Sequence, residues 1–138
     1  RMVATVVNDG VQTPVRLIDG YMDESGNYTA NEQGRGQRIL SADTAATLRS
    51  MMEAVVRSGT GKAAAPSVCT AAGKTGTAET GQTGGNKPVV QSWFAGYFPA
   101  ENPRYVVTAL AEDAQNTGGQ AAKCFCEISN KLFALDTQ

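Results

Sequence analysis

Hydrophobic residues recur at helical spacing in two stretches of the chain. In residues 41–58 the apolar positions are Ala45, Leu48, Met52, Val55 and Val56. This stripe predicts an amphipathic helix, with Ser41 or Asp43 as its N-terminal cap and Gly59 at its end. A second stripe predicts a closing helix over residues 120–135, with apolar positions at Ala121, Phe125, Ile128, Leu132 and Leu135.

Between these helices the pattern changes to that of β-strands. Residues 72–79 alternate small and polar side chains, residues 89–98 are rich in aromatic side chains, and Tyr105–Ala111 is an almost unbroken apolar run. The apolar run predicts a strand covered on both faces. Short connections predict antiparallel neighbours, and the polar, glycine-rich residues 80–87 predict a mobile hairpin loop.

The first forty residues carry weaker signals. Residues 2–7 fit either a short strand or the last turns of a helix. Residues 15–18 predict a short strand with residues 38–40 as its partner, and residues 23–27 predict a turn. The whole pattern predicts one α+β domain in which a three-stranded antiparallel sheet packs with helices. We expect no domain boundary.

Composition and charge exclude several classes of function. A chain of 138 residues suits one domain, and a net charge of −1 without a basic run predicts no nucleic-acid partner. The absence of histidine excludes a Ser-His-Asp triad within this chain. Because Cys69, Cys124 and Cys126 match no zinc spacing, we expect neither metal nor cofactor and interpret them as buried small hydrophobes.

The four residues Lys74, Thr75, Gly76 and Thr77 are the candidate site. In a strand, Thr75 and Thr77 share a face, while Gly76 removes a side chain and lets a ligand approach the backbone. A cation with two aligned hydroxyls predicts a grip on a carboxylate. For an isolated Lys-Thr-Gly, an ordinary strand lysine beside a glycine bulge is the better explanation, because three-residue motifs occur often by chance. A phosphate loop would need glycine in place of Val68.

Three separated blocks place this tripeptide in a wider pattern. Residues 55–61 read Val-Val-Arg-Ser-Gly-Thr-Gly, residues 72–79 read Ala-Gly-Lys-Thr-Gly-Thr-Ala-Glu, and residues 92–99 read Ser-Trp-Phe-Ala-Gly-Tyr-Phe-Pro. In order and spacing they resemble the C-terminal part of the transpeptidase domain of penicillin-binding proteins, most of all the monofunctional class B D,D-transpeptidases. The resemblance extends from Met2 to the final helix and implies part of a penicillin-binding, β-lactamase-like fold.

The resemblance implies a peptidoglycan cross-linking reaction. Enzymes of this kind use Ser-x-x-Lys, Ser-x-Asn and Lys-Thr-Gly motifs. The first serine attacks the penultimate D-Ala carbonyl of a stem peptide, D-Ala leaves, and an amine of a neighbouring stem accepts the acyl group. β-Lactam antibiotics acylate the same serine.

The family pattern assigns roles to the four candidate residues. Lys74 would help to set the electrostatic field of the site, and Thr75 and Thr77 would bind the carboxylate of a substrate or β-lactam. The backbone N–H of Thr77 would form half of the oxyanion hole. Gly76 would keep the strand open to the ligand.

Two of the three family motifs are missing from this sequence. None of its serines has a lysine three residues further on, and Ser25-Gly26-Asn27 matches Ser-x-Asn only within a predicted turn. We therefore expect the N-terminal strands and the Ser-x-x-Lys helical region to lie upstream of Arg1. The parent protein would be an active transpeptidase, and this chain alone would be inactive.

The resemblance carries further expectations. With the N-terminal strands absent, Tyr105–Ala111 would present an uncovered apolar edge through which the chain could self-associate. The parent would be anchored by an N-terminal segment at the extracytoplasmic face of a bacterial membrane. Alternative functions are a non-catalytic β-lactam sensor or scaffold, a β-lactamase and, outside this family, a nucleotide-binding protein.

Overall fold

The protein is described from a computed structural model that covers residues 1–32, 34–84, 87–112 and 119–136. The chain divides into two compact units, Arg1–Ala46 and Thr47–Gln138. Helices and antiparallel strands occur together, which confirms the predicted α+β class. Within the described ranges, no helix combines the length and the apolar character needed to cross a membrane.

Short elements make up the first unit. Helix α1 spans Met2–Val7, so this apolar run is helical rather than extended. Two small antiparallel pairs follow, and they join β1 (Val11–Gln12) to β4 (Gln37–Arg38) and β2 (Gly20–Met22) to β3 (Tyr28–Ala30).

The predicted strand at residues 15–18 is wrong. The side chains of Val15, Leu17 and Ile18 are all exposed, so this apolar run has no buried face to hold it in a sheet. The expected return strand is partly right, because Arg38 belongs to β4 and pairs with Val11.

Helix α2 spans Ala42–Arg57 and confirms the first helical stripe. The Ser41 hydroxyl oxygen accepts a hydrogen bond from the backbone N–H of Thr44 at 3.1 Å, so Ser41 is a side-chain cap of this helix. After the helix, the backbone N–H of Gly59 donates to the carbonyl of Ala54 at 3.0 Å, and a 3₁₀ turn follows over Lys62–Ala64.

The second unit contains a three-stranded antiparallel sheet in the order β5-β6-β7. Its strands are β5 (Ala72–Gly84), β6 (Lys87–Phe98) and β7 (Tyr105–Ala111). The predicted loop at residues 80–87 is wrong for residues 80–84 and 87, which extend the two strands, and residues 85 and 86 lie outside the described ranges. The register shifts between Glu79 and Thr83, where the pairing is irregular.

The sheet has two unlike faces. Phe94, Phe98 and Ala109 lie on one face and are buried; we call it the helix face. The opposite, outer face carries Trp93, Val106 and Leu110, whose side chains are between 38% and 42% exposed. The expectation that β7 is covered on both faces is therefore wrong, because its side chains alternate between a covered and an exposed surface.

Helix α3 (Gln120–Asp136) covers the helix face and confirms the second helical stripe except at Leu135, whose side chain is exposed. The ring centroid of Phe125 lies 4.7 Å from that of Phe94 and 5.8 Å from that of Phe98. These aromatic contacts are the centre of the hydrophobic core, and they fix the position of β6 under the helix.

The three cysteines are free thiols with different environments. Cys69 and Cys126 are half-buried, and Cys69 packs against the core. Cys124 is exposed, so the interpretation of all three as buried small hydrophobes is wrong for this residue.

Candidate functional site

The candidate residues lie on β5, which is an edge strand of the sheet among the described residues. Because β6 pairs with only one side of β5, alternate peptide groups of β5 point away from the sheet. Lys74 stands opposite Ala95, Thr75 opposite Phe94, and Thr77 opposite Ser92. The strand is regular through all four candidate residues, since the register shift begins only after Glu79.

The register separates the lysine from the two threonines. Thr75 and Thr77 lie on the helix face, as the alternation of strand side chains predicts. Lys74 and Gly76 lie on the outer face. Lys74 and Thr77 are exposed and Thr75 is half-buried, so the site surrounds the edge of β5.

Two glycines flank Lys74 and Thr75, and the one before Lys74 is needed for packing within the sheet. A Cβ atom at Gly73 would lie 2.4 Å from Cζ of Phe94 and 2.8 Å from the carbonyl oxygen of Ala95, which no real side chain allows. At Gly76 the nearest atom to such a Cβ is Cβ of Trp93, at 3.3 Å. Gly73 therefore provides the space in which Phe94 reaches the core, and Gly76 permits a close approach to Trp93.

Thr75 is held by two hydrogen bonds from different directions. Its hydroxyl oxygen lies 3.0 Å from the hydroxyl oxygen of Thr60, and either group can be the donor. Its backbone carbonyl accepts a hydrogen bond from Nζ of Lys74 at 2.7 Å. The position of the Thr75 hydroxyl is thus coupled to a residue of the connection between α2 and β5.

Thr60 itself is fixed by the turn that follows α2. The backbone N–H of Gly61 donates to the carbonyl of Val55 at 3.0 Å, which ties the turn back to the helix. Gly61 is buried, and a Cβ there would lie 3.3 Å from Cε2 of Phe94. Phe94, the strand residue opposite Thr75, therefore places its ring against the turn that carries Thr60.

Ser25-Gly26-Asn27 stabilises a turn between β2 and β3. The backbone N–H groups of Ser25 and Asn27 each donate to Oδ1 of Asp23 at 2.9 Å, and the Asn27 side chain donates to Oδ2 at 3.0 Å. The side-chain bond from Asn27, followed by its backbone bond, holds the pKa of Asp23 below its ordinary value. These hydrogen bonds show that Ser25-Gly26-Asn27 has a structural role in the turn.

A separate cleft of about 490 Å³ lies elsewhere in the second unit. It is lined by Val56, Cys69, Ala71 and other residues, and none of Lys74, Thr75, Gly76 and Thr77 borders it. Burial first, then the nearby Glu101 carboxylate and Cys126 thiol, raise the pKa of the Cys69 thiol. A raised pKa keeps the group as a thiol, which is the opposite of what a nucleophilic cysteine needs.

No group of three or more potential metal ligands occurs among the residues that the structure describes. Among the polar partners of the candidate residues, sequence analysis missed Thr60. It lies fifteen positions before Thr75, and no periodic pattern links two hydroxyls at that separation. The only available signal is its place between Gly59 and Gly61 in the block that precedes the strand.

Comparison with known proteins gives one consistent family. The model of the penicillin binding protein transpeptidase domain matches residues 1–131. Penicillin-binding protein PbpB of Mycolicibacterium smegmatis is 38% identical and matches 96% of this chain. Peptidoglycan D,D-transpeptidase PbpA of the same organism is 33% identical and matches 88% of this chain.

A solved structure agrees with these sequence matches. Penicillin binding protein 3 from Mycobacterium tuberculosis, in complex with ampicillin, superimposes with a TM-score of 0.83 at 34% identity over 99% of this chain. The matches account for only part of each relative: 23% of PbpB, 26% of PbpA and 33% of the ampicillin-bound structure. The chain therefore spans no more than a third of each of these three relatives.

Proposed function

This chain belongs to the penicillin binding protein transpeptidase-domain family, and from that premise we propose that it forms the Lys-Thr-Gly wall of a serine D,D-transpeptidase site. Its 138 residues would be the C-terminal portion of one transpeptidase domain. The parent protein would join peptidoglycan stem peptides through an acyl-enzyme, and β-lactams would acylate the same serine. The observation that carries the proposal is the regular edge strand that presents Lys74, Thr75 and Thr77 around its free side.

The proposed roles follow from charge and hydrogen-bonding capacity. The hydroxyls of Thr75 and Thr77 share a face and would donate to the carboxylate of the substrate or β-lactam. The Lys74 ammonium would add a positive field that favours the same anion. The backbone N–H of Thr77 would donate to the oxyanion that forms when the serine attacks the carbonyl, where charge develops in the transition state.

The nucleophile would come from outside these residues. The sequence contains no Ser-x-x-Lys motif, and the hydrogen bonds of Ser25-Gly26-Asn27 are used within a turn. In the parent, the serine hydroxyl would add to the penultimate D-Ala carbonyl, and the terminal D-Ala would leave with the serine proton on its amine. The acceptor amine would then displace the serine oxygen and return one proton to it. Gly76 would leave the strand without a side chain beside the reacting groups.

A labelling experiment tests whether the nucleophile lies outside this chain. We expect the full-length protein to take up one fluorescent penicillin covalently, as measured by intact-mass spectrometry. The 138-residue chain alone is expected to take up none, because it offers no activated serine. A stoichiometric adduct on the isolated chain would show that a nucleophile lies within it, and a full-length protein without any adduct would contradict the transpeptidase assignment.

Substrate and location follow from the same assignment. Stem peptides of peptidoglycan lie outside the cytoplasmic membrane, so we place the site at the extracytoplasmic face of a bacterial cell. We propose in addition that the parent has an N-terminal membrane anchor, which is not among the described residues. The ampicillin-bound relative supports β-lactams as ligands.

We also propose self-association of the isolated chain through β7. Among the described residues β7 is an edge strand, and it carries exposed Val106 and Leu110. An apolar strand with unpaired peptide groups is prone to pair with another copy. Sedimentation at increasing concentration is expected to show a dimer that Leu110→Lys disperses, and a clean monomer would contradict it.

A further inference from the structure

We propose that Thr60 is a positioning residue that sets the direction of the Thr75 hydroxyl for carboxylate recognition. The inference rests on the proposed function, because it concerns how the same site orients its ligand. Its starting observation is the 3.0 Å distance between the two hydroxyl oxygens, which neither local sequence nor strand geometry requires.

The number of protons and lone pairs on each hydroxyl decides which of the two threonines must donate in this contact. A threonine hydroxyl has one proton to donate and two lone pairs that accept. If Thr75 donated its proton to Thr60, it would face a ligand carboxylate with lone pairs only, and the two groups would repel. If Thr60 donates to Thr75, the proton of Thr75 remains available to the carboxylate.

The surroundings of Thr60 suit a fixed donor. The preceding Gly59 is bonded to α2 through the carbonyls of Ala54 and Val55, at 3.0 and 3.1 Å. The following Gly61 is buried against Val55 and Phe94, so the backbone on both sides of Thr60 is held. A donor on such a turn loses little conformational freedom when it forms its bond.

The strand side of the contact is equally constrained. The carbonyl of Thr75 accepts from Lys74 at 2.7 Å, and Phe94 stands opposite Thr75 in the sheet. With the backbone of Thr75 fixed, rotation about its Cα–Cβ bond and of the hydroxyl proton is the main remaining freedom. A bond from Thr60 removes that freedom before the ligand arrives, which is preorganisation of a recognition group.

The test compares second-order acylation rates in the full-length protein. We expect Thr60→Val, which keeps the shape and removes the donor, to slow acylation by a penicillin bearing a free carboxylate by up to about tenfold, the largest effect expected from one hydrogen bond between neutral groups. Thr60→Ser, which restores the donor, is expected to recover most of the rate. The matched control is Thr108→Val, an exposed threonine on β7, for which no change is expected.

Three further measurements separate positioning from a general structural effect. With the methyl ester of the same penicillin, Thr60→Val is expected to change the rate less than twofold, because the ester lacks the anionic group. In a Thr75→Val background, Thr60→Val is expected to have no additional effect, since the two residues act as one unit. With a stem-peptide substrate, the loss should appear in KM more than in kcat.

Several outcomes would overturn the inference. Equal losses with acid and ester would make Thr60 a structural residue only, and additive losses in the double variant would uncouple it from Thr75. A faster rate in Thr60→Val would mean that Thr75 donates to Thr60. If the wild-type protein is not acylated at all, the transpeptidase assignment has failed; normal wild-type acylation with a silent Thr60→Val rejects this inference alone.

Discussion

The two faces of the β5-β6-β7 sheet are built by the same strands but have different environments. On the helix face, Phe94 and Phe98 are completely buried under α3. On the outer face, Trp93 and Leu110 remain 38% and 42% exposed. The candidate site belongs to neither face alone, because Lys74 extends from the outer face and Thr75 from the helix face.

The residues that stabilise the sheet are therefore different from the residues that the sheet presents for binding. The buried aromatic contacts hold β6 in place, and β6 in turn fixes the register of β5. The candidate binding groups lie on β5, at the side that no described strand pairs with. The core therefore acts on the site indirectly, through the position of one strand.

The largest expected effect is on the free energy of unfolding, and it is seen by comparing one substitution on each face. Phe94→Ala removes a fully buried ring and is expected to lower the free energy of unfolding by about 3–5 kcal/mol. Leu110→Ala, on the exposed outer face, should cost less than about 1 kcal/mol. Urea denaturation of the protein measures both, and similar losses for the two variants would contradict the distinction between the faces.

A smaller effect is expected from the glycines of β5. Gly73→Ala places a methyl group 2.4 Å from Phe94 on the helix face and should cost about 1–3 kcal/mol through overpacking. Gly76→Ala faces Trp93 at 3.3 Å on the outer face, where the exposed indole has room to move. We therefore expect a cost below about 1 kcal/mol for Gly76→Ala; thermal unfolding that ranks the two in the reverse order would refute this.

The smallest effect concerns Tyr97, a buried residue of the outer face. Burial, followed by the Glu53 carboxylate, raises its pKa to about 12, and Arg49 acts in the opposite direction. Since the folded-state pKa exceeds the ordinary value of 10.0, its contribution to stability is full below pH 10.0 and is lost as pH rises through about 12.

Tyr97→Phe tests this pH dependence. The Tyr97 hydroxyl has no hydrogen-bond partner among the described residues, so its removal is expected to raise the free energy of unfolding by up to about 1 kcal/mol near neutral pH. The variant should also lose stability less steeply than the wild type above pH 10.0. Denaturation at several alkaline pH values measures this, with Tyr21→Phe, an exposed tyrosine, as control. Parallel pH curves would contradict the prediction.

The sequence predicted the elements whose side chains repeat with a clear period. Both long helices were confirmed within one residue at each end, because their apolar stripes face the core. The alternation of Thr75 and Thr77 likewise follows from strand geometry alone. Burial of β7 was predicted wrongly, because an apolar run does not show whether a second layer covers it.

Backbone pairing was harder to predict than side-chain burial. Residues 80–84 are polar and contain glycine, yet they extend β5, since ladder hydrogen bonds do not require apolar side chains. The contact between Thr60 and Thr75 also had no local signal, because it depends on how the turn after α2 meets the sheet. Tertiary contacts of this kind are decided by the folded chain and not by a sequence period.

The register shift between Glu79 and Thr83 has a consequence for engineering. A one-residue slip in a regular hairpin would move every following side chain to the other face. Here the ladder is already irregular beyond Glu79, whereas Ala72 to Glu79 pairs without interruption. A peptide epitope inserted beyond the irregularity would therefore lengthen the far end of the hairpin, while Lys74 and Thr75 would remain paired with Ala95 and Phe94.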